Sequence, residues 1–98
     1  MLTQEDVMAV MSNTIHPEID YSLVDLGMIK DVRVQQNTIQ VTVHLPFPAV
    51  PIKDHLVQIV RNAIAEKDAG ADIEVTFATM NEAERDDFRR KAAEKWKC

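Results

Sequence analysis

Three histidines are the side chains of this sequence best suited to proton transfer or metal binding at neutral pH. His16 lies directly before a proline, His44 falls in an alternating apolar segment, and His55 lies in the first turns of a helical pattern. No two of them have the i,i+4 spacing that places two imidazoles on one face of a helix. We therefore expect solvated or locally hydrogen-bonded histidines. A metal site formed by His44, His55 and a carboxylate stays open as an alternative.

Asp25 is the carboxylate with the most unusual setting, because it lies inside the apolar run from Ser22 to Ile29. An acid among leucine, valine and isoleucine is expected to be partly buried and to accept hydrogen bonds from backbone amides. In this structural role Asp25 fixes the turn that Gly27 permits. A role at a functional site is the alternative, and one residue can serve both.

The hydroxyl and thiol side chains show no pattern of an activated nucleophile. Ser22 lacks the Gly-x-Ser-x-Gly context, and Cys98, the only cysteine, is the last residue of the sequence. We expect a passive, exposed thiol at this position. One cysteine excludes an internal disulfide, and by itself it completes neither a zinc site nor a metal cluster. The two glycines are too few for a phosphate-binding loop.

A loop with three prolines in six residues runs from Pro46 to Pro51. Pro51 suits the first position of a helix. Phe47 and Val50 offer apolar contact beside that helix N-terminus, whose free amides point outward. The loop is either a stiff connector or a rigid recognition surface for a partner or a small anion.

The apolar periodicity predicts six elements in the order α-β-β-α-β-α. The predicted helices cover residues 3–13, 51–69 and 81–96, and the predicted strands cover residues 29–35, 38–45 and 71–79. Strand 38–45 alternates between apolar and polar residues, which predicts one buried and one solvated face. The helical crossover brings the third strand back parallel to the second, and we place it beside the first. The prediction is an α+β two-layer sandwich whose three-stranded sheet has the order 2-1-3 and carries the helices on one face.

Length and composition bound the class of protein. The sequence has 98 residues, of which 46% are hydrophobic and 28% charged, with a net charge of −5. These values predict a single domain over residues 1–98. The acidic balance argues against nucleic acid as a partner, and no apolar run approaches the ~20 residues of a membrane-spanning helix. The acidic N-terminus lacks the features of a signal peptide, so we expect a cytoplasmic protein.

Two stretches resemble a known family. Pro17-Glu18-Ile19 and the run from Ser22 to Ile29 closely resemble the signature of the small Fe–S cluster assembly domains, which include SufT-like proteins and PaaD-like maturation factors. The loop at residues 45–51 falls where the family has Leu-Thr-Thr-Pro-x-Cys-Pro, and residues 80–85 resemble its Met-Ser-Glu-Glu-Ala-Arg ending. The resemblance covers about residues 4–90 and implies a compact α+β domain with a role in Fe–S protein maturation.

The sequence departs from the family pattern in the loop. Val50 stands where the family has its reactive cysteine, and Pro46 and Phe47 replace two threonines. Valine forms no thiolate and ligates no iron. The additional cysteines of a C-terminal metal-binding extension are absent as well. A member with this loop is expected to act through protein contacts rather than through a metal ligand.

The function expected from the resemblance is that of a non-enzymatic adaptor in Fe–S cluster assembly or metalloprotein maturation, with no cofactor of its own. Its partner is expected to be a component of the assembly machinery or a client apoprotein. The expected contact surface consists of Asp25, Leu26, Gly27, Phe47, Pro48, Val50 and Pro51.

Two other functions stay open. One is a direct cluster or metal carrier that uses Cys98 from two chains with His44 or His55. The other is a small hydrolase-type enzyme that uses Asp25 and a histidine, which requires the two side chains to lie within hydrogen-bond reach. The sheet also has edge strands, so the sequence leaves a homodimer open.

Overall fold

Three helices and three strands follow one another in the predicted order. The computed structural model describes residues 2–47 and 51–96. The elements are α1 (Gln4–Ser12), β1 (Ile29–Gln35), β2 (Thr38–Leu45), α2 (Lys53–Ala65), β3 (Asp72–Thr79) and α3 (Glu82–Lys95). The α+β class and the three-stranded sheet are confirmed. No helix within the described residues is long and apolar enough to cross a membrane.

Capping boxes begin the first and last helices. The Thr3 hydroxyl accepts a hydrogen bond from the Asp6 backbone N–H at 3.1 Å, and the Asp6 carboxylate accepts one from the Thr3 N–H at 2.9 Å. Asn81 and Glu84 repeat the pattern at α3, with distances of 2.8 and 2.9 Å. Each box satisfies amides that the first helical turn leaves without a partner.

The end of α2 differs from the prediction. The helix ends at Ala65, whereas the sequence pattern extends it to residue 69 with Gly70 as a left-handed cap. Gly70 has no positive φ, and its N–H donates to the Asp68 carboxylate at 3.2 Å. This local side-chain bond offers the backbone a turn in place of a further helical turn.

The strand order 2-1-3 is wrong, because β2 and not β1 is the central strand. β1 pairs antiparallel with β2 and has an irregular register between Ile29 and Val32. β3 pairs with β2 in parallel along its whole length, from Thr38–Asp72 to Leu45–Thr79. β3, which follows the helical crossover, therefore pairs with the second edge of β2. The predicted parallel orientation of β2 and β3 is confirmed.

The buried face of the sheet forms the core with two helices. Four residues of β2 on this face are at most 2% exposed, namely Ile39, Val41, Val43 and Leu45. Val7 and Met11 of α1, and Leu56, Val60 and Ile64 of α2, pack into the same apolar cluster. α3 contributes no buried residue. It lies instead against the segment before β1, where its Lys95 carbonyl accepts from the Asp20 N–H at 2.8 Å.

Candidate functional site

An apolar recess lies where β2 ends and α2 begins. We call it the β2-end recess, and its volume is about 390 Å³. Its lining residues come from the segment before β1 (His16, Glu18, Ile19, Met28), the β2–α2 connection (Pro46, Phe47, Pro51, Ile52), α3 (Phe88) and the residue directly after α3 (Trp96). An apolar concave site with few polar groups is the usual form of a binding site in a small domain.

Two exposed aromatic side chains belong to the lining of this recess. Phe47 is 48% exposed and Trp96 is 49% exposed, and both are large apolar residues in contact with solvent. Ile15, at 44%, is the third such residue in the described part of the chain, and it does not line the recess. Exposed aromatic rings beside an apolar recess are typical of a protein-binding surface.

The segment before β1 reaches the recess through a turn that Ser22 holds. The Ser22 hydroxyl accepts a hydrogen bond from the Asp25 backbone N–H at 3.0 Å, and the Ser22 carbonyl accepts one from the Leu26 N–H at 3.0 Å. Gly27 follows in the left-handed region with a φ of 75°, as its place in the sequence predicts. The chain then enters β1 with Met28 in the recess wall.

The predicted burial of Asp25 is wrong. Asp25 is exposed, and the turn is closed by Ser22 and by backbone bonds rather than by the Asp25 carboxylate. Leu23 and Leu26 enter the core at 0% exposure, so the turn directs the charged side chain between them to solvent, where its hydration is kept. The Asp25 carbonyl oxygen accepts a hydrogen bond from Lys91 Nζ at 2.6 Å.

The predicted contact surface is divided by the structure. Phe47 and Pro51 line the β2-end recess, whereas Asp25, Leu26 and Gly27 do not. Leu26 is fully buried, so its side chain belongs to the core and not to a surface. Pro48 and Val50 lie outside the described residues.

His16 lines the recess, which its position directly before a proline did not predict. Its side chain is 3% exposed. The Glu18 backbone N–H donates to His16 Nδ1 at 2.9 Å, so the predicted local hydrogen bond is confirmed for this histidine. A neutral imidazole that accepts at Nδ1 carries its proton at Nε2. The sequence feature that bears on His16 is Pro17, because a proline restricts the backbone conformation of the residue before it.

Arg85 ties the β2–α2 connection to α3. Its Nε donates to the Pro46 carbonyl at 2.7 Å, and an Nη donates to the Met80 carbonyl at 3.4 Å. Pro46 itself is buried. The guanidinium therefore positions the backbone that carries Phe47. Arg85 lies in the stretch of residues 80–85 that resembles the family ending, but no residue pattern predicts its contact with Pro46.

Charged side chains of α3 form contacts within the helix and with neighbouring segments. Lys91 bonds the Asp87 carboxylate at 3.1 Å as well as the Asp25 carbonyl. Hydrogen bonds from Arg90 and then from Lys91 keep the pKa of Asp87 below its ordinary value. Lys30 of β1 forms an ion pair with Glu84. Of these contacts, only Lys91–Asp25 and Lys30–Glu84 join α3 to other segments, and both are at least partly exposed, so each stabilises the docking of α3 only modestly.

The metal site built on His44 and His55 is not formed by the described residues. His44 lies on the polar face of β2 and His55 is exposed on α2. Within residues 2–47 and 51–96, no group of three histidine, cysteine or acidic side chains is placed to hold a metal ion. Cys98 lies outside the described residues.

Comparisons with known proteins agree with the fold and with the sequence signature. A family model described as "Iron-sulfur cluster assembly protein" matches residues 4–77, which leaves α3 outside the match. An "Iron-sulfur cluster carrier protein" of Synechocystis is 36% identical over 64 residues, and one of Mycobacterium leprae is 28% identical over 86 residues. These regions make up 65% and 87% of this chain but only 18% and 22% of the two carrier proteins.

Two solved structures share the fold. A crystal structure of a DUF59 domain of unknown function from Bacillus anthracis has a TM-score of 0.72, with 20% identity over 83% of this chain and 81% of that chain. A solution structure from Mycobacterium tuberculosis has a TM-score of 0.57, with 22% identity over 92% of this chain and 79% of that chain. The second protein is described as associated with Fe–S complex assembly and repair.

Proposed function

The chain belongs to the iron–sulfur cluster assembly protein family, and from this membership we propose that it is an accessory adaptor of cluster assembly. The adaptor binds a protein partner through the β2-end recess. The observation that carries the proposal is the pair of half-exposed aromatic residues, Phe47 and Trp96, beside an apolar recess. The partner is a component of the assembly machinery or a client apoprotein.

The recess supports this role through its shape and stiffness. An apolar side chain of a partner that enters it loses contact with water, and Phe47 and Trp96 supply further apolar area at its edge. Pro46 and Pro51 restrict the backbone on both sides of the loop, so less conformational entropy is lost on binding. Arg85 adds to this preorganisation because it bonds the Pro46 carbonyl.

The residue types in the loop also support protein contact rather than cluster ligation. Val50 stands where the resembling family has a reactive cysteine, and Cys98 is the only thiol of the sequence. Neither valine nor proline ligates iron. The second candidate, a direct cluster carrier, is favoured by the names of the Synechocystis and M. leprae relatives. It needs Cys98 from two chains, with a histidine as a further ligand.

Anaerobic reconstitution with iron and sulfide separates the two candidates. We expect the natural chain and Cys98→Ser to retain no iron after desalting, because no loop thiolate is present. Val50→Cys is the matched variant that restores the thiol, and it is expected to retain iron. If the natural chain retains stoichiometric iron and Cys98→Ser does not, the carrier function is established and the adaptor function is contradicted.

A second experiment tests the recess itself. We expect Phe47→Asp to abolish co-purification of Fe–S assembly proteins with the tagged chain, because a carboxylate at the recess must be desolvated on binding. Ile15→Asp is the control, since Ile15 is about as exposed as Phe47 and lies outside the recess. Circular dichroism verifies that both variants fold. Undiminished capture by folded Phe47→Asp would remove the recess from the interface.

A further inference from the structure

The outer edge of β3 is a regular, open strand edge. β3 pairs with β2 at all eight of its residues, without a bulge. Within the described part of the chain, the sheet places no strand on the other side of β3. A strand in this position presents a row of backbone donors and acceptors to any second strand that can align with it.

The hydrogen bonds at the two ends of β3 identify the residues whose backbone N–H and C=O groups point away from β2. The Asp72 N–H donates to the Asn37 carbonyl at 2.8 Å, and the Met80 N–H donates to the Leu45 carbonyl at 2.7 Å. Both amides therefore point toward β2, and successive amides of a strand alternate in direction. Between them, the N–H and C=O groups of every second residue therefore point to the open edge. These residues are Ile73, Val75, Phe77 and Thr79.

Burial shows that this edge is incompletely covered. Val41 and Val43 of β2 are fully buried, whereas Val75 and Phe77, which pair with them, are only half-buried. Lys53 of α2 lies over the Phe77 ring at 4.9 Å. The apolar layer of the core thus continues to the open edge.

β3 also carries few of the devices that usually protect an edge strand. Natural edges carry proline, lysine or a bulge that prevents pairing with another strand. The sequence from Asp72 to Thr79 contains no proline, lysine or arginine, and its register is regular. Its two acidic residues, Asp72 and Glu74, stand in its first half.

We propose that a second copy of this chain pairs with this edge, as an antiparallel β3–β3 dimer with a two-fold axis at Val75. This register places Val75 opposite Val75 and Ile73 opposite Phe77, all with outward amides. Glu74 then faces Thr76, and Asp72 faces Ala78, so no acidic side chain faces another. A two-fold axis at Glu74 would place the two carboxylates opposite each other, which is destabilising.

The dimer extends the sheet to six strands and buries the half-covered apolar residues of the edge. No residue of β3 lines the β2-end recess, so both recesses of the dimer stay accessible. The inference therefore does not depend on the adaptor function, and the two can fail independently.

Sedimentation velocity over a wide range of concentration tests the dimer. We expect the natural chain to reach twice its monomer mass and Val75→Pro to remain monomeric with a native circular dichroism spectrum. The Val75 N–H takes no part in the β2–β3 pairing, and proline is tolerated on an edge strand whose N–H faces outward. Thr76→Pro, whose N–H points to β2, is the contrasting variant and should unfold. A natural chain that stays monomeric, or a Val75→Pro chain that dimerises undiminished, overturns the proposal.

Cysteine cross-linking tests the register without relying on proline. A Glu74→Cys chain is mixed with a Thr76→Cys chain, both in a Cys98→Ser background, under mild oxidation. In the proposed register these two positions form a non-hydrogen-bonded pair with Cα atoms about 4.5 Å apart, which suits a disulfide. We expect a covalent dimer from the mixture and not from either chain alone, since like positions lie diagonally at about 7–8 Å. Absence of the mixed product, or equal cross-linking of each chain alone, overturns the register.

Discussion

Gly27 is the residue on which the path of the chain into the recess depends. Its φ of 75° lies in the left-handed region, and a Cβ built at this position meets nothing within 4 Å. A side chain at residue 27 would therefore be strained by the backbone alone and not by a neighbouring atom.

Gly27→Ala is expected to lower the free energy of unfolding by about 1 kcal/mol, the usual cost of an L residue in this region. Gly70→Ala is the matched control, because Gly70 has no positive φ and its added Cβ makes an ordinary 3.7 Å contact with the Asp68 side chain. Urea denaturation of both variants measures the difference. A Gly27→Ala chain as stable as Gly70→Ala would contradict the backbone account.

At the scale of elements, α1 depends on the charge of its capping box. The hydrogen bond from the Thr3 backbone N–H, and then the one involving the Thr3 side chain, lower the pKa of Asp6 below its ordinary value of 3.8. A carboxylate with a pKa lowered by folding stabilises the folded state above its unfolded pKa. That contribution is lost as the pH falls through the folded pKa.

Asp6→Asn should therefore lower the Tm at pH 7, and the difference from the natural chain should narrow at about pH 3, because the stabilisation from a lowered carboxylate pKa decreases once the pH falls below the unfolded pKa. The amide oxygen of asparagine still accepts a hydrogen bond, so the variant isolates the charge of the cap. Thermal unfolding followed by circular dichroism at the two pH values measures the difference. An equal Tm difference at both values would show that the charge of Asp6 does not contribute.

The strands were the elements best predicted from sequence, because their bounds follow directly from the alternation of apolar residues. Their order was predicted wrongly as 2-1-3, since alternation gives the face of a strand but not its neighbour. β2 has an irregular register against β1 on one edge and a regular register against β3 on the other, and neither register leaves a signal in residue types. The turn between β1 and β2 shows the same limit, because Gln36 has a positive φ of 54°, in a region where glycine and asparagine are commoner than glutamine.

For the whole molecule, the loop near Phe47 and Pro51 was located from its prolines and its apolar residues, and the structure places both side chains in the recess lining. The contributions of His16, Phe88 and Trp96 could not be predicted, because they come from segments far apart in sequence. Asp25 was misassigned for a related reason. An apolar neighbourhood in sequence does not say which side chains of a turn face the core.

The two walls of the β2-end recess differ in local stability because one of them belongs to α3 and the residue after it. One wall belongs to segments anchored in the core through fully buried residues such as Leu23 and Leu26. The other consists of Phe88 on α3 and Trp96 directly after it. α3 has no buried residue, which places this wall at the low end of opening free energies. A ligand that packs between the walls adds its binding free energy to the docking of α3. A ligand whose binding requires displacement of α3 binds only those molecules in which α3 is not docked. Occupancy of the recess and undocking of the C-terminal helix are therefore thermodynamically linked.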